Sequence, residues 1–288
     1  MAGSTWLVSY PKSGNTWMRL FLANLASSSP EPLALSTMGM YPISSGRHFF
    51  YEMTGIHASE LTEDELMALR SEAFTLFSTR LTKDLIFKVH EVNSVLEDGT
   101  LLFTADATAR VLYVIRNPLD ICESVAIHFG HRNLDKAIEQ MRDNELVVSD
   151  SSDRCASQLP QLLTSWSNHV NTWTGVDIGP RLVVRYEDML ASPMDTFMEV
   201  ARFMGLNDDA DAVSRAIRHS SFDELRAQED EHGFQEAPPG DDHFFRKGRA
   251  GAWREVLSEA QVRQIIHDHR ETMHRFGYVD SAGRPIEP

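Results

Sequence analysis

The chain opens on a short apolar run, Trp6-Leu7-Val8-Ser9, that passes through Tyr10-Pro11-Lys12-Ser13-Gly14 into Asn15-Thr16-Trp17 and a segment rich in apolar residues. This order of strand, tight loop and helix constrains the fold more than any other feature, because it repeats along the chain. Leu85–Val89, Val111–Ile115 and Leu182–Tyr186 are further apolar runs without the strict alternation of a half-wet antiparallel strand, and they suit strands covered on both faces. Helical patterns lie between and after them over Thr16–Ala26, Pro118–Phe129, Met189–Met204 and the amphipathic Ser258–Phe276. Asn117 is placed to cap the second of these, with Pro118 at its first helical position. Alternation of this kind predicts an α/β fold in three layers, a central mostly parallel sheet flanked by helices with a P-loop-like loop after the first strand.

Composition narrows the function. A length of 288 residues suits a single α/β domain over 1–288, and 42% hydrophobic with 24% charged residues is a globular balance. A net charge of −15 argues against non-specific nucleic-acid binding and against docking on anionic lipid, so neither nucleic acid nor membrane is an expected partner. Cys122 and Cys155 are too few for a disulfide framework and read as reduced thiols. The chain shows neither a membrane-length apolar run nor a secretory leader, which points to the cytoplasm.

An anion site in so acidic a chain has to be built from a few focused cations. In open parallel sheets ligands sit beyond the carboxyl ends of the strands. Three predicted strands end there in polar groups: Lys12-Ser13-Gly14 after the first, Lys88 and His90 at the second, Arg116-Asn117 at the third. Lys88 and His90 are two apart and share a face. A lysine late in Leu-Ile-Phe-Lys-Val is costly to desolvate without an anionic partner. The first loop is not a Walker A loop, whose lysine follows the second glycine.

Lys12-Ser13-Gly14-Asn15-Thr16-Trp17 resembles the phosphosulfate loop of sulfotransferases that use 3′-phosphoadenosine 5′-phosphosulfate (PAPS). Arg116-Asn117-Pro118-Leu119-Asp120-Ile121-Cys122-Glu123-Ser124 resembles that family's second motif, and Arg246-Lys247-Gly248-Arg249-Ala250-Gly251-Ala252-Trp253 its third. Lys88-Val89-His90 stands where the family has Lys-Thr-His. Tyr186-Glu187-Asp188 also fits, and the motifs follow one another in the expected order between residues 6 and 253. Asn15 and Val89 depart from the commoner threonines, and the Asn15 amide can still donate to phosphate.

The resemblance implies PAPS as cofactor, adenosine 3′,5′-bisphosphate as product, and no metal. It makes His90 the general base, Lys12 the donor to the bridging oxygen and Lys88 the partner of the sulfuryl oxygens. Arg116, Ser124 and Arg246 would hold the 3′-phosphate with the backbone of Lys247 and Gly248. Trp17 and Phe222 would stack on the adenine, near Tyr186. The Lys-x-x-x-Thr-Val-x-x-x-Glu dimerisation segment of many cytosolic relatives is not evident after Trp253, so the oligomeric state stays open.

The acceptor is less legible. Met38, Met40, Tyr41, Phe49, Phe50, Tyr51 and Met53 read either as core under a long loop or as an apolar wall for an aromatic small molecule. A carbohydrate or lipid acceptor is the rival within the family, and a P-loop kinase or a nucleotide binder without turnover is the rival outside it. Pro238-Pro239-Gly240-Asp241-Asp242 marks a loop inside the longer acidic stretch Gln228–Asp242, a solvated loop or part of a lid over 228–245. His267-Asp268-His269 on a helix diverges too far to ligate one metal, and residues 207–211 lack the glycine and terminal glutamate of a calcium loop.

Overall fold

The computed structural model describes residues 3–27, 29–36, 41–149, 157–237 and 243–287. Its contacts gather into two compact units: residues 1–11, 41–114 and 139–183 form the first, and 12–40, 115–138 and 184–288 the second. Strands are β1 (Ser4–Val8), β2 (Leu85–Val89), β3 (Thr108–Ile115), β4 (Val147–Val148), β5 (Gln161–Leu162) and β6 (Arg181–Arg185).

A four-stranded sheet in the order β2-β1-β3-β6 carries the first unit. β1 is parallel to both neighbours, with Val8 opposite Val89 and Tyr113. Every residue of β1 is buried, which is why its pattern is continuous rather than alternating. Around it stand helices α2 (Arg47–Thr54), α3 (Glu63–Thr79) and α6 (Trp166–Thr174). The Trp6 ring lies within 5.2 Å of those of Phe74, Phe87 and Phe103, and Phe103 meets Trp173 of α6 at 5.0 Å. Thr62 and Glu65 start α3 with a reciprocal capping box. β4 and β5 form a separate antiparallel pair.

The second unit holds α1 (Asn15–Ala26), α4 (Pro118–His128), α7 (Tyr186–Ala191), α8 (Pro193–Met204), α9 (Ala210–His219), α10 (Phe222–His232) and α11 (Glu259–Arg275), while α5 (Leu134–Arg142) spans the boundary. α9 packs on α1 and α8, and α4 on α11 and on the short 3-10 turn Ala252–Glu255. Asn117 caps α4 as the sequence predicts, its side chain accepting from the Leu119 amide. The expected Met189–Met204 helix is instead α7 followed by α8. Pro193 lacks the N–H that a continuous helix would need, and it opens α8 at its first position. The acidic stretch from Gln228 begins as the last turn of α10, which runs to His232; the loop expected at Pro238–Asp242 lies outside the described residues. Among the described residues no helix is long and apolar enough to cross a membrane.

Candidate active site

The phosphate-type residues read from the sequence all fall in the second unit, from Lys12 to Gly248. Lys12 and Gly14 take left-handed backbone, with φ of 69° and 105°. This brings the chain tightly round Ser13, which is 1% exposed and whose hydroxyl has no hydrogen-bond partner. Gly14 caps α1 without a side chain and no acid lies in the first turn, so the positive end of the helix is uncompensated. Arg116 donates to the carbonyl of Lys12 at 3.2 Å and to that of Arg249 at 3.4 Å, and its guanidinium lies 4.1 Å over the Tyr186 ring. Arg246 donates to the Ser124 hydroxyl at 3.0 Å. The three motifs thus meet through Arg116, and the second and third also through Arg246 and Ser124.

Acidic residues brace these cations. Asp120 accepts from the amides of Gly251 and Trp253 at 2.8 and 3.0 Å, and Glu123 pairs with Lys247 at 2.7 Å. Glu187 accepts from the Asn117 amide at 3.0 Å and from the Tyr278 hydroxyl at 3.1 Å. Burial raises its carboxyl above the ordinary value. Asp120, Glu123 and Glu187 stood inside the quoted motifs without an assigned role. Carboxylates in motifs otherwise read for cations were the signal that could have found them.

Gly248, with φ of 58°, lies so close to Phe222 that an added Cβ would come within 2.3 Å of its ring. Trp17 meets Tyr186 and Phe197 edge-on at 5.6 and 5.5 Å. Phe222 and Trp17 both pack against the cluster of Leu20, Leu35, Leu225 and Phe245. Phe244, which the sequence did not single out, has the Lys12 ammonium 3.7 Å over its ring. Glu229 of α10 accepts from the amides of Phe244 and Phe245.

Lys88 and His90 belong to the first unit. Phe87 and Val89 are fully buried while Lys88 and His90 are partly exposed, the two-residue alternation expected of β2. Residues 42–44 fix the backbone of Lys88, whose amide donates to Pro42 and whose carbonyl accepts from Ser44. His90 Nδ1 lies 2.8 Å from the carbonyl oxygen of Ser9. A carbonyl only accepts, so Nδ1 carries the hydrogen and the neutral ring keeps its lone pair on Nε2. Of the residues weighed as an acceptor wall, Phe50 is buried in the core and the half-buried Phe49 packs on Phe77 and Phe87. Tyr51 stacks on His57 at 4.5 Å, and Met38 and Met40 lie outside the described residues. Cys122 is a buried free thiol pushed up to about 12 by burial, and Cys155 lies outside the described residues.

A family model described as the sulfotransferase domain matches residues 3–277. Cytosolic sulfotransferase 17 of Arabidopsis thaliana is 23% identical over 286 residues, 95% of this chain and 75% of that protein. Sulfotransferase 1A1 of Rattus norvegicus is 24% identical over 277 residues, covering 92% of this chain and 82% of that one. The solved structure of retinol dehydratase in a complex with retinol and PAP is similar at a TM-score of 0.61 and 18% identity, over 94% of this chain and 81% of that one. A likeness at that identity is one of fold.

Proposed function

Because the chain belongs to the sulfotransferase domain family, we propose that it moves the sulfuryl group of PAPS to a hydroxyl or amine of a small, largely apolar acceptor. The observation that carries this reading is the meeting of three motifs in the second unit, with Arg116 on the Lys12 carbonyl and Arg246 on Ser124. The parts suit the donor: a buried serine hydroxyl without a partner, a bare helix start, and a glycine at 248 whose missing side chain lets the backbone lie directly against the Phe222 ring. Arginine forks match phosphate oxygens in pairs.

When bound, PAPS supplies an activated sulfuryl group on a bisphosphate leaving group. Ser13, Gly14, Asn15 and Thr16 cradle its 5′ side, and Arg116, Ser124 and Arg246 hold its 3′-phosphate with the amides of Lys247 and Gly248. Trp17 and Phe222 stack on the base, with Tyr186 beside them. The Lys12 ammonium neutralises charge on the bridging oxygen and Lys88 that on the sulfuryl oxygens, as positioned donors do in phosphoryl transfer. His90 takes the acceptor's proton on Nε2, the nitrogen that its bond to Ser9 leaves basic. The whole chain acts as one sulfotransferase domain. Relatives named as cytosolic support a cytoplasmic place for it, and the retinol complex supports an apolar acceptor over a sugar.

A thermal-shift titration with adenosine 3′,5′-bisphosphate, run beside ATP with magnesium, tests the donor. At about 100 times its dissociation constant the bisphosphate should add roughly 2.7 kcal/mol of stability, a readily measured rise in Tm. A rise with ATP and magnesium alone would overturn the reading in favour of a kinase.

A further inference from the structure

A buried chain of hydrogen bonds ends on the backbone of His90. His169, in α6, has no exposed surface. Its Nε2 lies 2.9 Å from the His90 carbonyl oxygen, and its Nδ1 2.7 Å from the Tyr113 hydroxyl. The carbonyl can only accept, so Nε2 carries a hydrogen. Burial pushes His169 down to about 4, so near pH 7 the ring is neutral and has one N–H. Nδ1 is therefore the acceptor, and Tyr113 donates to it. The Tyr10 ring meets the His169 ring edge-on at 5.4 Å and closes off another side.

The residues after His90 are held in the same manner. One helical turn beyond His169, the Trp173 indole donates to the Glu91 carbonyl at 2.9 Å. The Glu91 carboxylate accepts twice from Arg70 of α3, at 2.7 and 2.9 Å, and once from Ser44 at 2.8 Å. The Val92 amide donates to Leu162 of β5 at 2.9 Å. Hydrogen bonds thus fix the carbonyls of residues 90 and 91 and the amide of 92. A leucine at 169 would leave the buried Tyr113 hydroxyl and the His90 carbonyl without this partner, so the network holds only with every member in place.

We propose that His169, with Tyr113 behind it, is a positioning residue for His90. By fixing the His90 peptide plane, it keeps the imidazole where Nδ1–H reaches the Ser9 carbonyl and Nε2 keeps its lone pair. The inference rests on the reading of His90 as the base for its consequence, but not for its test, which reads the tautomer and not turnover.

The measurement is a long-range proton–nitrogen correlation spectrum of the full chain labelled with 15N histidine, near pH 8 so that the rings are neutral. His90→Ala identifies the His90 signals. The wild type should show His90 in the Nδ1–H form alone. His169→Leu should shift its tautomer ratio on the order of tenfold, what one hydrogen bond is worth. His169→Gln, which keeps an N–H near the position of Nε2, should restore it. If His169→Leu fails to fold, Tyr113→Phe removes one hydroxyl and should move the ratio the same way by less. An unchanged Nδ1–H signal in a folded His169→Leu or Tyr113→Phe variant overturns the proposal, as does an Nε2–H form in the wild type. Loss of the tautomer in His169→Gln as complete as in His169→Leu would also count against it. If the tautomer responds while His90→Ala keeps full turnover, the positioning stands and the base assignment alone falls.

Discussion

His90 is tied through Nδ1, which leaves Nε2 as the nitrogen able to accept a proton. The 2.8 Å approach of Nδ1 to the Ser9 carbonyl settles where the proton sits, and a base needs its lone pair on the other nitrogen. Replacing His90 by alanine should lower kcat by about 10²–10⁴ and leave the affinity for adenosine 3′,5′-bisphosphate unchanged. Steady-state transfer from PAPS to a panel of phenols, with calorimetry for the bisphosphate, checks both halves. A variant that turns over like the wild type would end the assignment. The sequence singled this residue out because Lys88-Val89-His90 ends an apolar strand and stands where the family it resembles has Lys-Thr-His. His169 gave no such signal. It lies in Trp-Ser-Asn-His-Val-Asn-Thr-Trp, a polar and β-branched stretch whose helical state comes from burial and from the Ser165 cap, not from propensity.

Helix α4 is the element on which the third motif is built. Asp120, Glu123 and Ser124 hold Gly251 and Trp253, Lys247, and Arg246 in turn. Spacings of three and four residues put Asp120, Glu123 and Ser124 on one face, so a single helix sets the whole loop. Asp120 is the strongest of these holds, since one buried carboxylate takes two backbone amides. Hydrogen bonds to a charged group contribute about 1.5–3 kcal/mol each. Asp120→Ala should therefore weaken bisphosphate binding about 10–100-fold, and Asp120→Asn by less, because one amide keeps an acceptor. Calorimetric titration decides it, and an unchanged affinity in Asp120→Ala would mean that the loop is held by other contacts. At this scale the sequence read α4 well, from Asn117, Pro118 and the apolar run. The break between α7 and α8 was missed although Pro193 marks it, because the apolar spacing continues across the break.

Over the whole molecule, two buried histidines couple stability to pH. Burial pushes His169 and His269 each down to about 4 in the folded chain, whereas an unfolded histidine takes its proton near 6.5. Between those values the unfolded state binds more protons. Stability is therefore full above about pH 6.5 and is lost as the pH falls toward 4, by up to about 3 kcal/mol for each histidine. The melting temperature of the wild type should fall relative to that of His169→Gln by several degrees between about pH 7 and pH 4. A constant gap between the two would show that His169 takes up its proton while still folded. The sequence by itself determined the strands of the sheet and the helix starts at Asn117 and Ser258, and it marked Lys12, Arg116 and Arg246 as candidate cations, because each of these is written in residues close together along the chain. Only the tertiary structure decided what those cations and the histidine are held by. Asp120 meets Gly251, Arg116 meets Arg249, and His169 meets His90 across separations of 131, 133 and 79 residues. Such partners leave no local pattern, since their choice follows from which backbone groups burial leaves in need of a hydrogen bond.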